Sequence, residues 1–186
     1  TPAELHERWA EPEVSDGARE PGGKLTLAIL ECRKPVIAAI NGAGVGIGST
    51  MTLPMDARLA STEARMGFVF ARLGITPEAC STWFLPRIVG QSTALDLLDS
   101  GDIIPASRAL EIGLVDAVHE PADLLEAAHA VAHRMTRGRS AHAVAMTRQL
   151  VFRHLAGASV LDAHLAESLA LRHSAHGDGR EGGEQV

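Results

Sequence analysis

The sequence has little of what marks secreted, membrane-spanning or nucleic-acid-binding proteins. Its apolar runs are far shorter than a bilayer-crossing helix needs, and no basic segment leading into an apolar one opens it. The two cysteines, Cys32 and Cys80, are too few for a disulfide framework, so we expect a reducing, cytoplasmic environment. A net charge of −6 without any block of lysine and arginine argues against a nucleic-acid-binding surface.

The composition is that of a soluble globular domain. The 186 residues are 46% apolar and 22% charged, which is enough for one sizeable core. The sequence opens on Thr1 rather than methionine and closes on the polar, glycine-rich HGDGREGGEQV. We therefore expect it to be part of a larger protein, with a tail that buries nothing.

The hydrophobic pattern predicts an α/β core followed by helices. Helical spacing appears in 24–33 and in 79–99, the latter broken at Gly90, while short apolar runs predict strands. After Pro121 only amphipathic helices are predicted, with Ser140 and Ser159 placed as caps. The predicted division is residues 1–120 for the core, 121–174 for a helical, oligomer-forming region and 175–186 for the tail; the predicted strands are PVIAAIN (35–41), ARLAS (57–61), RMGF (65–68), DII (102–104) and LVDAVH (114–119).

A glycine-rich turn, GAGVGIG (42–48), connects the first strand to STMTLPM (49–55), which is predicted helical until Pro54. The dinucleotide fingerprint needs glycine at its first, third and sixth positions, but the sixth is Ile47 counted from Gly42 and Ser49 counted from Gly44. Free N–H groups at a helix start also bind other anions, including an enolate oxygen. The same glycines could instead serve close packing of the strand on the helix, which also needs small residues.

The blocks KPVIAAINGAGVGIGSTMTLPMDARLAST, ARMGF, GITPEACSTWFLPRIVG and SGDIIPASRALEIGLVDAVH follow one another in order. Together they resemble the enoyl-CoA hydratase/isomerase (crotonase) superfamily over residues 24–182. The resemblance implies a crotonase (ClpP-like) α/β fold, a spiral of ββα units followed by a C-terminal helical region. It also implies that the family's first strands would precede the present sequence.

The resemblance further implies an enzyme that binds an acyl-CoA thioester and needs no cofactor. Two backbone N–H groups form the family's oxyanion hole; one falls on Ile47, and the other belongs to an AGADL-like stretch upstream of this sequence. The C-terminal helices mediate trimers, so a homo-oligomer, either a trimer or a dimer of trimers, is expected. The substrate-binding positions carried over are Gly46, Thr50, Val69, Phe70 and Leu73.

Family hydratases use two glutamates, and this sequence has Thr50 and Phe70 at those positions. Hydration needs one group to activate water and another to deliver a proton, so these departures argue against a standard hydratase. One branch of enoyl-CoA isomerases carries a single glutamate in a PEG/PEA–CSS-like stretch, which Glu78 in TPEACST matches. Shifting a double bond from C3–C4 to C2–C3 needs only one such base beside the oxyanion hole.

Glu78 also has a structural interpretation, since Thr76-Pro77-Glu78 resembles a helix start. A helix beginning at Pro77 would however hold Pro86 in its interior, at about 3 kcal/mol. A start near Ser81 instead leaves Glu78 on the entering loop. Burial near Phe68, Phe70, Trp83 and Phe84 would raise the carboxyl pKa, whereas a helix start would lower it.

Other residues are weaker candidates for chemistry. Glu126, His129 and His133 share a predicted helix, but metal binding needs further converging ligands, so no metal site is expected. Cys80 lacks a neighbouring histidine to activate it, and Asp56 fits a turn or packing role. Arginines that could meet CoA phosphates are Arg58, Arg72 and Arg87.

Three functions therefore stay open. The first is an enoyl-CoA isomerase with Glu78 as the base and the Ile47 N–H as an oxyanion donor. The second is an enoyl-CoA hydratase or another acyl-CoA lyase on the same fold. The third is a catalytically silent chain that binds CoA thioesters or assembles with relatives.

Overall fold

The computed structural model describes residues 19–157 and 159–176, and its strands form two three-stranded sheets. The chain alternates between the sheets: the first and third strands lie in one, the second and fourth in the other. This alternation gives the predicted spiral of ββα units. The elements are α1 (Pro21–Glu31), β1 (Ile37–Ile40), β2 (Ala43–Val45), α2 (Ile47–Thr50), β3 (Ala57–Ser61), β4 (Arg65–Gly67), a 3-10 turn (Ala71–Leu73), α3 (Ser81–Val89), α4 (Gln91–Ser100), β5 (Ile103–Pro105), α5 (Ala106–Glu111), β6 (Ala117–His119), α6 (Leu124–Thr136), α7 (Ala141–Leu155) and α8 (Val160–His176).

The first sheet is parallel and has β3 at its centre, between β1 and β6. Every residue of β3 is buried, as expected of a parallel strand covered on both faces. The second sheet has β4 at its centre, parallel to β2 and antiparallel to β5. The predicted strands are thus confirmed, with shifts of a few residues at their ends.

The main hydrophobic core is formed largely by β4, the residues that follow it, and α3 to α5. Phe68 and Leu85 are fully buried there, and each such side chain contributes about 1.5–3 kcal/mol. The remaining core members are Leu53, Ala60, Ala64, Met66, Phe70, Phe84, Ala94, Leu97, Leu98, Ala106, Ala109, Leu114 and Val115.

The predicted helix over 49–55 is wrong beyond its first residues. The structure ends α2 at Thr50 and continues in turns to Pro54, and the glycine-rich turn itself contains strand β2. Hydroxyl groups compete for the backbone here, because the Thr52 hydroxyl donates to the Ser49 carbonyl at 2.7 Å. The missing N–H of Pro54 then removes the next helical bond.

The helix predicted over 24–33 is confirmed, although α1 begins earlier, at Pro21, where a proline suits the first turn. The interruption at Gly90 is confirmed as well. Gly90 has φ of +82° and separates α3 from α4, a conformation that glycine adopts without a steric penalty.

The three predicted C-terminal helices are confirmed as α6, α7 and α8. Ser140 caps α7 by accepting the Ala143 N–H at 3.3 Å, and Ser159 accepts the Asp162 N–H at 3.1 Å before α8. Helix α8 extends to His176, two residues into the predicted tail, and residues 177–186 lie outside the described part. The division into core, helical region and tail stays a prediction. None of the described helices is both long and apolar enough to cross a bilayer.

A buried ion pair joins α7 to the core. The Arg148 Nε donates to both carboxylate oxygens of Asp56 at 2.9 Å, and Arg148 Nη1 donates to the carbonyls of Leu30 and Cys32. Asp56 also accepts the Val36 N–H at 2.7 Å. The packing role expected of Asp56 is therefore confirmed.

Candidate active site

Glu78 lies on the loop that enters α3, as the start near Ser81 predicted. The next two residues, Ala79 and Cys80, have φ of +54° and +55°, which is strained for residues with a Cβ. Such conformations cost about 1–3 kcal/mol each and persist only where the surroundings impose them. Ser81 contributes, because its hydroxyl and its N–H both donate to the Glu78 carbonyl, at 2.7 and 3.0 Å.

Helix α1 holds this loop from the other side. The Thr26 hydroxyl donates to the Ala79 carbonyl at 2.9 Å, and Thr26 and Ala79 are both completely buried. The Ala79 N–H donates to Glu20 Oε1 at 3.0 Å, so a residue 59 positions earlier satisfies it. The strained turn is therefore fixed by contacts with the residues at and after the start of α1.

The Glu78 carboxyl is half-buried between two other parts of the chain. The Thr50 hydroxyl donates to Glu78 Oε1 at 2.6 Å. On the other side, a Cβ added to Gly22 would overlap Glu78 Oε2 and lie 2.9 Å from Glu20 Oε2, so both oxygens crowd the Gly22 Cα. The absence of a side chain at Gly22 leaves room for the two carboxyl groups.

The pKa of Glu78 is raised above its ordinary value. Burial is the largest cause, and the negative charge and hydrogen bond of Glu20 add to it. The Thr50 hydroxyl opposes the shift, because it stabilises the carboxylate. A raised pKa brings a carboxyl group closer to the range in which it both accepts and returns a proton.

The glycine-rich turn is fixed against β4. Gly46 has φ of +59° and donates its N–H to the Gly67 carbonyl at 2.9 Å. Ser49, fully buried, accepts the Gly67 N–H at 3.1 Å and donates its hydroxyl to the Gly44 carbonyl. These bonds set the start of α2, where the N–H of Ile47 belongs to the first turn that a helix leaves without intrahelical acceptors.

Thr50 joins these two parts of the site. It lies on α2, three residues after Ile47, and its hydroxyl contacts Glu78. The carboxyl group and the helix start that sequence reasoning singled out are thus linked through one hydrogen bond. Thr50 itself is completely buried, so it serves the carboxyl as a hydrogen-bond donor.

The remaining predicted substrate positions differ in exposure. Phe70 is buried in the main core, Val69 is half-buried, and Leu73 is 52% exposed on the 3-10 turn. Ile47 is 45% exposed and Gly46 half-buried. Apart from Thr50, the hydrogen bonds within the described residues do not connect these positions to Glu78. Their substrate-binding role stays a prediction.

Glu20 and Gly22 are site residues that the sequence did not predict. Both lie in a polar stretch, EPGG, that reads as a linker and carries no catalytic motif. No local pattern connects them with Glu78, because their contacts form only when α1 packs against the loop before α3.

The three arginines that were weaker candidates for binding CoA phosphates all make contacts within the protein. Arg58, expected as a possible CoA contact, is unsuited to that role, because it is buried and donates to the carbonyls of Leu114 and Met55. Arg72 pairs with Asp102, and Arg87 lies over the Trp83 ring at 4.0 Å. Within the described residues no three side chains are grouped as metal ligands.

Cys80 stands next to the candidate base but is not activated as a nucleophile. Burial raises the pKa of its thiol, as do the charges of Glu20 and Glu78, while Arg19 opposes the shift. A raised thiol pKa lowers the thiolate fraction at neutral pH.

The chain is an α/β protein whose strands alternate between two sheets. Its glycine-rich helix start lies next to a half-buried carboxyl group. The family model for enoyl-CoA hydratase/isomerase matches residues 3–182. The chain is therefore a member of the enoyl-CoA hydratase/isomerase family, and its fold is that of the crotonases.

Individual relatives agree with this assignment. The chain is 45% identical over 157 residues to "Enoyl-CoA hydratase ACTT3" of Alternaria alternata, covering 84% of this chain and 52% of that protein. It is 37% identical over 132 residues to "Short-chain-enoyl-CoA hydratase" of Clostridium acetobutylicum, covering 71% of this chain and 50% of that protein. The chain thus spans about half the length of the curated relatives it matches.

Solved structures show the same similarity. An enoyl-CoA hydratase from Bacillus anthracis superposes with a TM-score of 0.80 at 29% identity, covering 86% of this chain and 61% of that one. A monofunctional enoyl-CoA isomerase from M. smegmatis superposes with a TM-score of 0.71 at 32% identity, covering 78% and 68%. Structures described as hydratase and as isomerase therefore both match.

Proposed function

We propose that this protein is an enoyl-CoA isomerase that moves a double bond from C3–C4 to C2–C3 of an acyl-CoA thioester. The observation that carries the proposal is the 2.6 Å hydrogen bond from Thr50 to Glu78. It ties a half-buried carboxyl group to the helix that begins at Ile47, so that a base and a backbone oxyanion donor belong to one site.

The proposed reaction uses Glu78 as a proton shuttle. Its carboxylate removes a proton from C2 of the 3-enoyl thioester, and the electron pair of that C–H bond forms a dienolate. The N–H of Ile47 donates to the developing thioester oxyanion, as backbone donors do in acyl-transfer sites. Glu78 then returns the proton to C4, which leaves the double bond at C2–C3 and regenerates the carboxylate.

The raised pKa of Glu78 suits this role. Burial is its largest cause, and it favours the protonated form that follows the first step. The thioester substrate, the absence of a cofactor and assembly into trimers or dimers of trimers are parts of the same proposal. Exposed leucines along α8, including Leu165 and Leu169, favour such an assembly.

Hydration of a 2-enoyl-CoA is the second candidate. Thr50 and Phe70 occupy the positions of the family's two hydratase glutamates, which argues against it. In its favour, Glu20 supplies another carboxyl group beside Glu78, and two acid–base groups are what hydration requires. The matched proteins from A. alternata and C. acetobutylicum also carry the name hydratase.

The test supplies the full-length protein, which includes the upstream stretch expected to carry the second oxyanion donor, with a 3-enoyl-CoA and, separately, with a 2-enoyl-CoA. We expect isomerisation of the first, lowered about 100-fold or more in Glu78→Gln, because removing a general base typically costs that much. The matched control is Glu63→Gln, an exposed acid on the loop between β3 and β4, which should leave the rate unchanged.

Each other outcome contradicts the proposal in a defined way. Isomerisation that survives Glu78→Gln would remove Glu78 from the mechanism. Rapid hydration of the 2-enoyl-CoA without isomerisation of the 3-enoyl-CoA would favour the second candidate. Neither reaction, together with calorimetric binding of the thioesters, would assign the chain a binding role only.

A further inference from the structure

Glu20 occupies an unusual position for a residue that precedes a helix. It is the N-cap of α1, a position where a short polar side chain such as aspartate or serine normally accepts an N–H of the first turn. Here no such cap bond forms, and Glu20 Oε1 instead accepts the N–H of Ala79 in the strained turn after Glu78. Its carboxyl group is therefore directed at the candidate site.

The second carboxyl oxygen of Glu20, Oε2, indicates how the two carboxyl groups are protonated. Within the described residues, Glu20 Oε2 is buried and has no hydrogen-bond donor. It lies with Glu78 Oε2 over the same Gly22 Cα, where no side chain separates them. Two ionised carboxylates have only acceptor oxygens, so they would repel each other and leave Glu20 Oε2 without a partner.

A single proton removes both difficulties. If one of the two groups is protonated, its O–H donates to the other, and the pair carries one negative charge. The remaining oxygens already have donors, since Ala79 donates to Glu20 Oε1 and Thr50 to Glu78 Oε1. With that proton in place each oxygen of the pair takes part in a hydrogen bond.

We propose that Glu20 is a positioning residue for Glu78, and that the two carboxyl groups hold one proton between their Oε2 atoms. The singly protonated pair can take up the C2 proton of a substrate and become neutral, then return it. This inference deepens the proposed isomerase function and rests on that function only for its kinetic consequence; the shared proton is a property of the resting protein.

A purely structural reading of Glu20 makes a different prediction. If Glu20 served only to accept the Ala79 N–H, the amide oxygen of glutamine would accept the same bond, and Glu78 would titrate in one step both before and after the substitution. Other charged or titratable groups near the pair are the Cys80 thiol on the same loop and Arg19 beside Glu20. Neither is altered by Glu20→Gln, so the variant isolates the second carboxyl group.

The experiment is a carboxyl 13C NMR titration of the 186-residue protein labelled at glutamate. The Glu78 signal is assigned by its loss in Glu78→Gln. We expect that signal to titrate in two steps in the unaltered protein, because interacting carboxyls lose their protons as a pair. In Glu20→Gln it should titrate in one step that lies below the upper of those two, since the negative charge and hydrogen bond of Glu20 raise the pKa of Glu78.

The control variant is Glu31→Gln, an exposed acid at the other end of α1, which should leave both steps in place. Thermal unfolding of Glu20→Gln reports any loss of stability, which by itself does not change the number of titration steps. A single step in the unaltered protein, or two unchanged steps in Glu20→Gln, would overturn the proposal.

Kinetics separate this proposal from the isomerase assignment. With a 3-enoyl-CoA, the pH profile of kcat/KM should show both steps of the pair in the unaltered protein and a single step in Glu20→Gln, because only one of the two carboxyl groups then remains. If the protein does not isomerise but the NMR coupling is present, the carboxyl pair stands and the proposed function fails. If it isomerises without coupling, the reverse holds.

Discussion

The α/β part of the molecule and its C-terminal helices differ in how they use apolar and polar residues. Most of the buried apolar residues lie before α6. In the described part of the helical region, the buried apolar residues are Leu124, Ala128 and Ala170. Helix α8 exposes leucines, with Leu171 71% and Leu161 64% exposed. The main core and the site lie in the first part, while α6 packs on the first sheet through a second apolar cluster built on Ala57, Leu59 and Leu124.

A polar contact also joins the two parts. The Arg148 side chain is 4% exposed and that of Asp56 16%, and their ion pair links α7 to the residues before β3. By contrast, within the part of the chain that the structure describes, the hydrogen bonds that hold the loop presenting Glu78 come from the first part, among them those of Thr26, Thr50 and Ser81. The ion pair and the loop that presents Glu78 can therefore be perturbed by separate substitutions.

The largest effect on stability is expected from Arg148→Met, which breaks the ion pair between α7 and the first part. Removing one partner of a buried ion pair leaves the other uncompensated and costs about 3–5 kcal/mol. Urea unfolding should show this loss. The control Arg153→Met, an exposed arginine on the same helix, should change the free energy of unfolding by no more than about 0.5 kcal/mol. Equal effects of the two variants would contradict a specific attachment.

A smaller effect on stability but a clear one on activity is expected from Gly22→Ala. The added Cβ would overlap Glu78 Oε2, and the carboxyl group can move aside because it is the end of a flexible side chain. Alanine favours a helix over glycine by about 0.5–1 kcal/mol, which offsets the crowding.

In Gly22→Ala we therefore expect nearly unchanged unfolding but a kcat/KM for isomerisation lowered about tenfold or more, since small misplacements of a catalytic group are costly. Gly42→Ala is the control, because a Cβ there meets no atom within 4 Å. A loss of activity that is equal in both variants would argue against crowding at Glu78.

The smallest effect is expected from Thr50→Val, which keeps the shape of the side chain and removes its hydroxyl. The hydrogen bond from Thr50 lowers the pKa of Glu78 against the raising effect of burial, so its loss should raise that pKa further. The acid limb of kcat/KM should then move to higher pH, because Glu78 loses its proton less readily. Thr52→Val, which loses a bond to the Ser49 carbonyl instead, should not move it.

The same variant has a consequence for stability with a defined sign. The pKa of Glu78 is higher in the folded than in the unfolded protein. Between these two pKa values the folded protein holds a proton that the unfolded protein has lost. Stability contributed by this group is therefore lost as pH rises through its folded pKa. In Thr50→Val that loss should be larger and extend to higher pH, as unfolding measured across the acidic range would show.

Local patterns in the sequence determined much of the fold. The apolar runs around Ile37–Ile40 and Ala57–Ser61 predict buried strands because parallel strands covered on both faces need continuous apolar residues. The amphipathic spacing after Pro121 predicts helices for a similar reason. The prediction over 49–55 was wrong because hydroxyl side chains bonded to the backbone in place of a longer helix.

The candidate base could also be proposed from the sequence, since TPEACST and Pro86 together indicate Glu78 on a loop before a helix at Ser81. The residues that surround Glu78 could not be predicted from the sequence. The contact of Glu78 with Thr50 joins residues 28 positions apart, and Glu20 reaches the N–H of Ala79 across 59. Contacts of this range follow from how α1, α2 and the loop before α3 pack together. Sequence periodicity reports only which face of each element is buried, so the packing, and with it the second carboxyl group, was decided by the tertiary structure.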